Sequence, residues 1–193
     1  MKLEVKILIA FGIILFLCSN TALGWRSFNV LITSFPFKFN SDMIDVKIKI
    51  HNKTDETTLD VVFNVLEDIN DIHLKYAIAL EASEGNYTAL LNRSVNMCNF
   101  LKQRSMEPVL RVIYENILKS GNFIKTCPIK RGIYSLHEYH ADEEILPSYV
   151  PETNFIVDIK MDLPNGKMVF QGRLNGKIDK SKGFNNLKMF SLG

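Results

Sequence analysis

Few residues in this sequence are spaced for chemistry, and they fall into three groups. His137-Glu138-Tyr139-His140 sets two imidazoles beside a carboxylate. A metal site needs several converging ligands, and histidines three apart on a strand point to opposite faces. There is no His-Glu-x-x-His pattern, so these are expected to be surface histidines beside the acidic stretch Asp142, Glu143 and Glu144, with no metal site. Cys98 and Cys127 form the second group. The third cysteine, Cys18, lies in an apolar N-terminal leader, which leaves one intramolecular pairing for the chain that remains. Both thiols are therefore expected to be oxidised, neither nucleophilic nor metal-binding. Asn52-Lys53-Thr54, Asn86-Tyr87-Thr88 and Asn92-Arg93-Ser94 are the third group, acceptor patterns for N-glycans at Asn52, Asn86 and Asn92. No Gly-x-Ser-x-Gly elbow, phosphate loop or Gly-x-Gly-x-x-Gly fingerprint is present. The pattern reads as a protein that is not an enzyme and needs no cofactor.

The cysteines bracket an amphipathic run. Glu107, Arg111, Glu115 and Lys119 recur at four-residue spacing and would form one charged stripe on a helix. Met106, Val109, Leu110, Ile113 and Ile117 would take the opposite, buried side, with Val112 and Leu118 at its margins. Ser105 suits the N-cap, Pro108 the first turn and Gly121 the position after the last turn.

Around that helix the sequence alternates. Ile44-Asp45-Val46-Lys47-Ile48-Lys49-Ile50 reads as a half-buried strand, as do Leu59–Leu66, Leu74–Leu80 and Tyr87–Met97. In the last of these Tyr87, Ala89, Leu91, Val95 and Met97 share one face, with Arg93 the exception, and Asn92 points to solvent. Phe35–Phe39 is held to an edge or a strand start by Pro36. Gly132–Leu136 reads as a short strand. Phe155–Leu163 and Met168–Ile178 are joined by Pro164-Asn165-Gly166, a hairpin signal. The expected fold is all-β: an Ig-like antiparallel sandwich with one amphipathic helix between the cysteines. Gly172 and Gly176 lie on the inward face of the last strand, where small residues either tighten packing or leave room for a ligand.

Lys2 and Lys6, the apolar run Ile7–Leu17 and Ala22-Leu23-Gly24 make residues 1–24 a signal peptide cleaved before Trp25. Its apolar run is 11 residues, against the roughly 20 needed to span a bilayer. Residues 25–180 would form the sandwich and 181–193 a tail, in an extracellular protein whose mature chain has no transmembrane segment. Formal net charge is +2, and removing Lys2, Lys6 and Glu4 with the leader leaves +1. That near-neutrality excludes an electrostatic nucleic-acid binder.

The run Val95–Ile159 resembles an insect-expanded family of small secreted proteins, some linked to chemosensation. The residues that carry the likeness are Cys98-Asn99-Phe100-Leu101, Cys127-Pro128-Ile129-Lys130-Arg131-Gly132-Ile133-Tyr134, Leu146-Pro147, and Pro151 leading into Phe155. That family is similar to the lipid-recognition domains of the ganglioside-activator and myeloid-differentiation type. The resemblance implies a sandwich that holds a lipid between its sheets, although those domains carry several disulfides and this chain can form one.

The expectation is a secreted glycoprotein that binds a lipid or other hydrophobic small molecule and carries chemical cues, with an extracellular receptor as a further partner. The alternative is an extracellular protein-interaction module with a packed core. Phe100, Val109, Ile113, Ile117, Phe123, Phe155, Ile159 and Phe170 are expected to meet at one end of the sandwich as the wall of a hydrophobic pocket.

Overall fold

A computed structural model of the chain describes residues 28–53, 56–141 and 150–180. The leader over 1–24, the tail over 181–193 and the acidic residues Asp142–Glu144 lie outside these. Ten strands are described: β1 (Asn29–Ser34), β2 (Phe37–Phe39), β3 (Ile44–Asn52), β4 (Thr57–Val65), β5 (His73–Ser83), β6 (Asn86–Asn96), β7 (Gly121–Asn122), β8 (Gly132–Tyr139), β9 (Thr153–Asp162) and β10 (Met168–Asp179). Between β6 and β7 come α1 (Met97–Lys102), a 3-10 turn (Arg104–Met106) and α2 (Pro108–Lys119).

The strands form two antiparallel sheets. One runs β1-β10-β9-β5-β6, with β2 also paired to β10, and the other runs β3-β4-β8-β7. This is the expected sandwich, with two additions. Asn29–Ser34 pairs with β10 although its sequence, NVLITS, lacks the clean alternation that marks the other strands. The segment between the sheets begins with a separate short helix that carries Cys98, where one helix was expected. Asn96 caps it, its side chain accepting from the Asn99 amide at 2.9 Å.

Cys98 and Cys127 are disulfide-bonded, with Cα atoms 5.5 Å apart. The bond ties the first turn of α1 to the loop that enters β8. The closing hairpin forms at Asn165-Gly166, where Gly166 takes φ +84° and donates to the Leu163 carbonyl at 2.9 Å.

In β6 a bulge at Leu90 overturns the expected alternation. Leu91 pairs with Ile78 and Ala89 with Ala79, so Leu90 is the extra residue. Beyond it the two faces exchange: Thr88 lies opposite inward-facing Leu80, and Tyr87 opposite Glu81. Simple period-two reading fails there because one inserted residue swaps every side chain beyond it. Asn92, on the near side of the bulge, is exposed as expected.

Buried side chains form two clusters. The larger joins both sheets to the helical segment and includes Val46, Val61, Leu74, Phe100, Tyr114 and Phe170. The smaller, at the β1 end, holds Phe28, Val150, Phe155 and Ile178. Gly172 and Gly176 belong to closely packed regions and leave no space. A Cβ on Gly172 would come within 2.6 Å of the Phe35 ring. One on Gly176 would overlap the Phe155 ring and lie 2.6 Å from the Leu31 carbonyl oxygen. Of the two readings open for these glycines, tight packing is the one observed. Gly176→Ala should therefore cost about 1–3 kcal/mol, the usual penalty of overpacking, read as a lower midpoint in thermal or urea unfolding. An unchanged midpoint would show that both the Phe155 ring and the β1 backbone at Leu31 can give way.

Candidate functional site

The inward face of the larger sheet is ordered in rows by its register. Val95, Leu74, Met161 and Phe170 make one row, and Arg93, Tyr76, Ile159 and Gly172 the next. Leu91, Ile78, Val157 and Leu174 make the third, then Thr88, Leu80, Phe155 and Gly176. Three of these rows contain fully buried residues. In the Leu91-Ile78-Val157-Leu174 row none of the four is, although Ile78 and Val157 sit on central strands. On the smaller sheet Ile48, Ile50 and Phe63 are also only half-buried. Inward apolar side chains in the middle of a close-packed sandwich lose nearly all contact with solvent. These do not: all four of that row keep partial exposure to solvent.

The helical segment closes one side of that space with a different face from the one expected. α2 buries Leu110, Tyr114 and Asn116, and Ile117 and Leu118 pack beside them. The Tyr114 hydroxyl donates to the Ile124 carbonyl at 2.6 Å, its ring meets Phe100 edge-on at 5.5 Å, and Arg104 covers it at 4.9 Å. Met106 is 70% exposed, in the 3-10 turn and outside the helix, and Val109 is 45% exposed. The apolar residues of this run cover more than half the helix circumference, so periodicity admits two faces. Tyr114, with its polar tip, was not counted among the apolar set. Leu110 four residues before it was the available signal.

The helix ends differ for local reasons. Glu107, not Ser105, is the N-cap, with no side-chain capping bond, and Pro108 occupies the first turn. Gly121 starts β7, where a Cβ would overlap the Ser135 carbonyl oxygen. Of the expected charge stripe, the ion pair formed is Arg111–Glu115, at 3.9 Å between exposed groups.

The eight residues expected to wall a pocket are thus divided. Phe100, Phe123 and Phe170 are buried in the larger cluster, with Ile117 and Ile159 packed against it. Phe63, not anticipated, links them: its ring lies 6.2 Å from Phe123 and 5.5 Å from Phe170. Phe155 belongs to the smaller cluster, Val109 faces outward, and Ile113 is half-buried outside both clusters. These last three do not join the others. Phe155 and Phe170 look alike on alternating strands, and strand periodicity says nothing about which end of a sandwich a residue occupies.

His137-Glu138-Tyr139-His140 lies at a bulge between β4 and β8. Glu138 takes φ +47°, and its amide donates to Asp60 at 2.9 Å, while His51 Nε2 contacts the other Asp60 oxygen at 2.8 Å. The Glu138 amide and then the His51 bond hold the Asp60 carboxyl below its ordinary pKa. Asp60 thus anchors an unusual backbone turn. Among the described residues no group of three or more His, Cys, Asp or Glu side chains is placed to hold a metal ion.

A separate groove of about 310 Å³ opens beside the disulfide, lined by Asn70, Asp71, Asn96, Asn99 and Lys102 among others. Its lining is polar and its Asp71 carboxylate already accepts from Asn96 Nδ2 at 2.8 Å, so it does not suit an apolar ligand. Asn52, Asn86 and Asn92 are all exposed. No helix among the described residues is long and apolar enough to cross a membrane.

A family model described as "Protein of unknown function (DUF1091)" matches residues 72–157, from the edge of β5 to the middle of β9, a stretch that holds both cysteines. Among solved structures, the chain is similar to chicken MD-1 complexed with lipid IVa. That match has 12% identity and a TM-score of 0.37, and covers 78% of this chain and 96% of that one. So low a score carries no weight here, and the fold rests on the strand pairing itself. No curated protein matches the sequence.

The observed helix face has a direct consequence for stability. Tyr114→Ala should destabilise by about 3–5 kcal/mol, as truncating a buried aromatic does, whereas Val109→Ala should stay within about 0.5 kcal/mol. Urea unfolding of both variants checks this, and comparable losses would mean that the helix is seated on its other face.

Proposed function

We propose that this protein is a binding protein for a lipid or other hydrophobic small molecule, held between the two sheets. One observation carries the reading: the inward row Leu91-Ile78-Val157-Leu174 crosses four strands without a single fully buried member. Leaving such apolar surface wet is unfavourable by roughly 25 cal/mol per Å². An apolar ligand would recover that free energy, with half-buried Ile48 and Ile50 on the smaller sheet beside the core.

The pocket differs from the one anticipated. Ile159 and Phe170 lie in neighbouring inward rows, Phe155 belongs to the cluster against which Val157 and Leu174 pack, Phe100 and Phe123 belong to the larger core cluster, and Val109 faces outward. Binding, and not catalysis, suits an interior whose inward side chains are apolar apart from a few at one edge. A signal peptide over residues 1–24 and glycans on exposed Asn52, Asn86 and Asn92 suit a secreted carrier, and transport of chemical cues is the role the resemblance implies.

The test uses protein recovered from the culture medium, with its N-terminus sequenced; a first residue at or near Trp25 is expected. Uptake of the fluorescent probe N-phenylnaphthylamine is then measured for the wild type and for Ile78→Trp. The added bulk should fill vacant space, abolishing uptake with little change in melting temperature. In a close-packed interior the same change would cost about 1–3 kcal/mol. A wild type that takes up no probe, with an Ile78→Trp variant that melts far lower, would favour the packed interaction module. A chain retained in cells with its leader intact would end the secreted reading.

A further inference from the structure

The outer face of the larger sheet holds an apolar patch where a solvated antiparallel sheet is ordinarily polar. On central strand β5 the outward positions are Lys75, Ala77, Ala79 and Glu81, alternating with inward Leu74, Tyr76, Ile78 and Leu80. Ala79 lies opposite Ala89 on β6 and Ile156 on β9, one row along from Ala77. Ala89 is exposed and the other three are half-buried. Alanine is depleted in strands, and three of them beside one isoleucine make a shallow apolar floor.

Polar groups rim that floor. Asp158 and Arg173 continue the Ala77 row, with Arg173 Nε and Nη2 donating to the two carboxylate oxygens at 2.6 and 2.9 Å. Glu81 lies beyond Ala79 and accepts from Asn154 Nδ2 at 2.6 Å. An apolar floor with hydrogen-bonding groups at its margin fits a sugar, whose ring faces carry C–H groups and whose edge carries hydroxyls.

The chain has a position from which to deliver one. Asn92 opens the acceptor pattern Asn92-Arg93-Ser94 and lies directly opposite Ala77, on the same outward face. Opposed residues have Cα atoms about 5 Å apart, so a sugar on Asn92 starts one strand from the floor. The other two acceptor asparagines are placed differently. Asn86 begins β6 at the turn, with its Nδ2 donating to Ser83 Oγ at 3.1 Å, and Asn52 ends β3 on the smaller sheet, paired with Thr57.

We infer that the N-glycan of Asn92 folds back over Ala77, Ala79, Ala89 and Ile156, making the sheet's outer face a seat for the protein's own carbohydrate. The inference rests on the secreted-glycoprotein reading above and is independent of what lies between the sheets. Attachment transfers an oligosaccharide from a lipid-linked diphosphate donor. The anomeric carbon–oxygen bond breaks, the diphosphate leaves, and the Asn92 amide nitrogen loses a proton as it bonds that carbon. The first sugars then cover apolar surface that would otherwise stay wet, and their hydroxyls meet the polar rim.

The test uses protein secreted by eukaryotic cells. Peptide mapping should find Asn92 modified. Asn92→Gln should lower the melting temperature by about 2–4 °C, the scale of one modest contact in a domain of this size. Ala77→Gln, which raises a long neutral side chain on the floor, should cause a similar loss in the glycosylated protein and none in the Asn92→Gln background. An unmodified Asn92, an Asn92→Gln variant that melts with the wild type, or equal effects of Ala77→Gln in both backgrounds would each overturn the inference. Uptake of N-phenylnaphthylamine reads the interior separately, so the carrier reading survives any of these outcomes. A chain retained in cells with its leader intact would overturn this inference together with the secreted reading.

Discussion

The two sheets are unequal in width, and the rest of the structure follows from how that mismatch is handled. A sheet of six strands faces one of four, so the smaller sheet has fewer side chains with which to cover the larger one's inner face. On the β1 side the gap is filled. Phe28, Val150, Phe155 and Ile178 pack there, and Gly172 and Gly176 let the Phe35 and Phe155 rings lie against the backbone of β10. Towards β6 no strand of the smaller sheet fills the remainder. The chain itself crosses from one sheet to the other there, passing from edge strand β6 through α1 and α2 to edge strand β7.

Two devices hold that crossing in place. The Cys98–Cys127 bond fixes the start of α1 to the loop entering β8. Tyr114 then seats α2 through its bond to the Ile124 carbonyl and its contact with Phe100. Further in, Phe37, Phe170, Phe63 and Phe123 form a run of ring contacts 5.5–6.2 Å between centroids, which spans the sandwich from surface to core. Aromatic pairs at such distances favour particular geometries, so this run sets the separation of the sheets. In the Leu91-Ile78-Val157-Leu174 row, Leu91 packs against the larger cluster, Val157 against the smaller and Leu174 against both, yet all four stay half-buried.

Much of this was legible in the sequence. Period-two alternation located β3, β4, β5, β9 and β10, and an even cysteine count outside the leader gave the disulfide. The local surroundings of each strand were harder. One inserted residue, Leu90, exchanged the faces of half of β6, and no composition signal marks such a bulge. The helix between the cysteines was legible as a helix but not in its seating, because Val109, Ile113 and Ile117 compete with Leu110, Tyr114 and Ile117 for the buried face. At the candidate site Ile78, Leu91, Val157 and Leu174 read in the sequence as ordinary members of alternating strands. Their importance arises from the register that sets them opposite one another, a property of pairing between strands that no single strand's sequence contains.

The central claim is that the sheets leave vacant apolar space between them. Xenon, which enters apolar cavities large enough to hold it, probes that space without reference to any ligand's head group. Methyl NMR spectra recorded under increasing xenon pressure should show saturable shifts for Ile78, Leu91, Val157 and Leu174, with Val169 and Ile178, which are buried at 2% and 1% exposure, hardly moving. Small, linear and uniform shifts for all six would contradict the account, and would mean that the two sheets meet without a cavity.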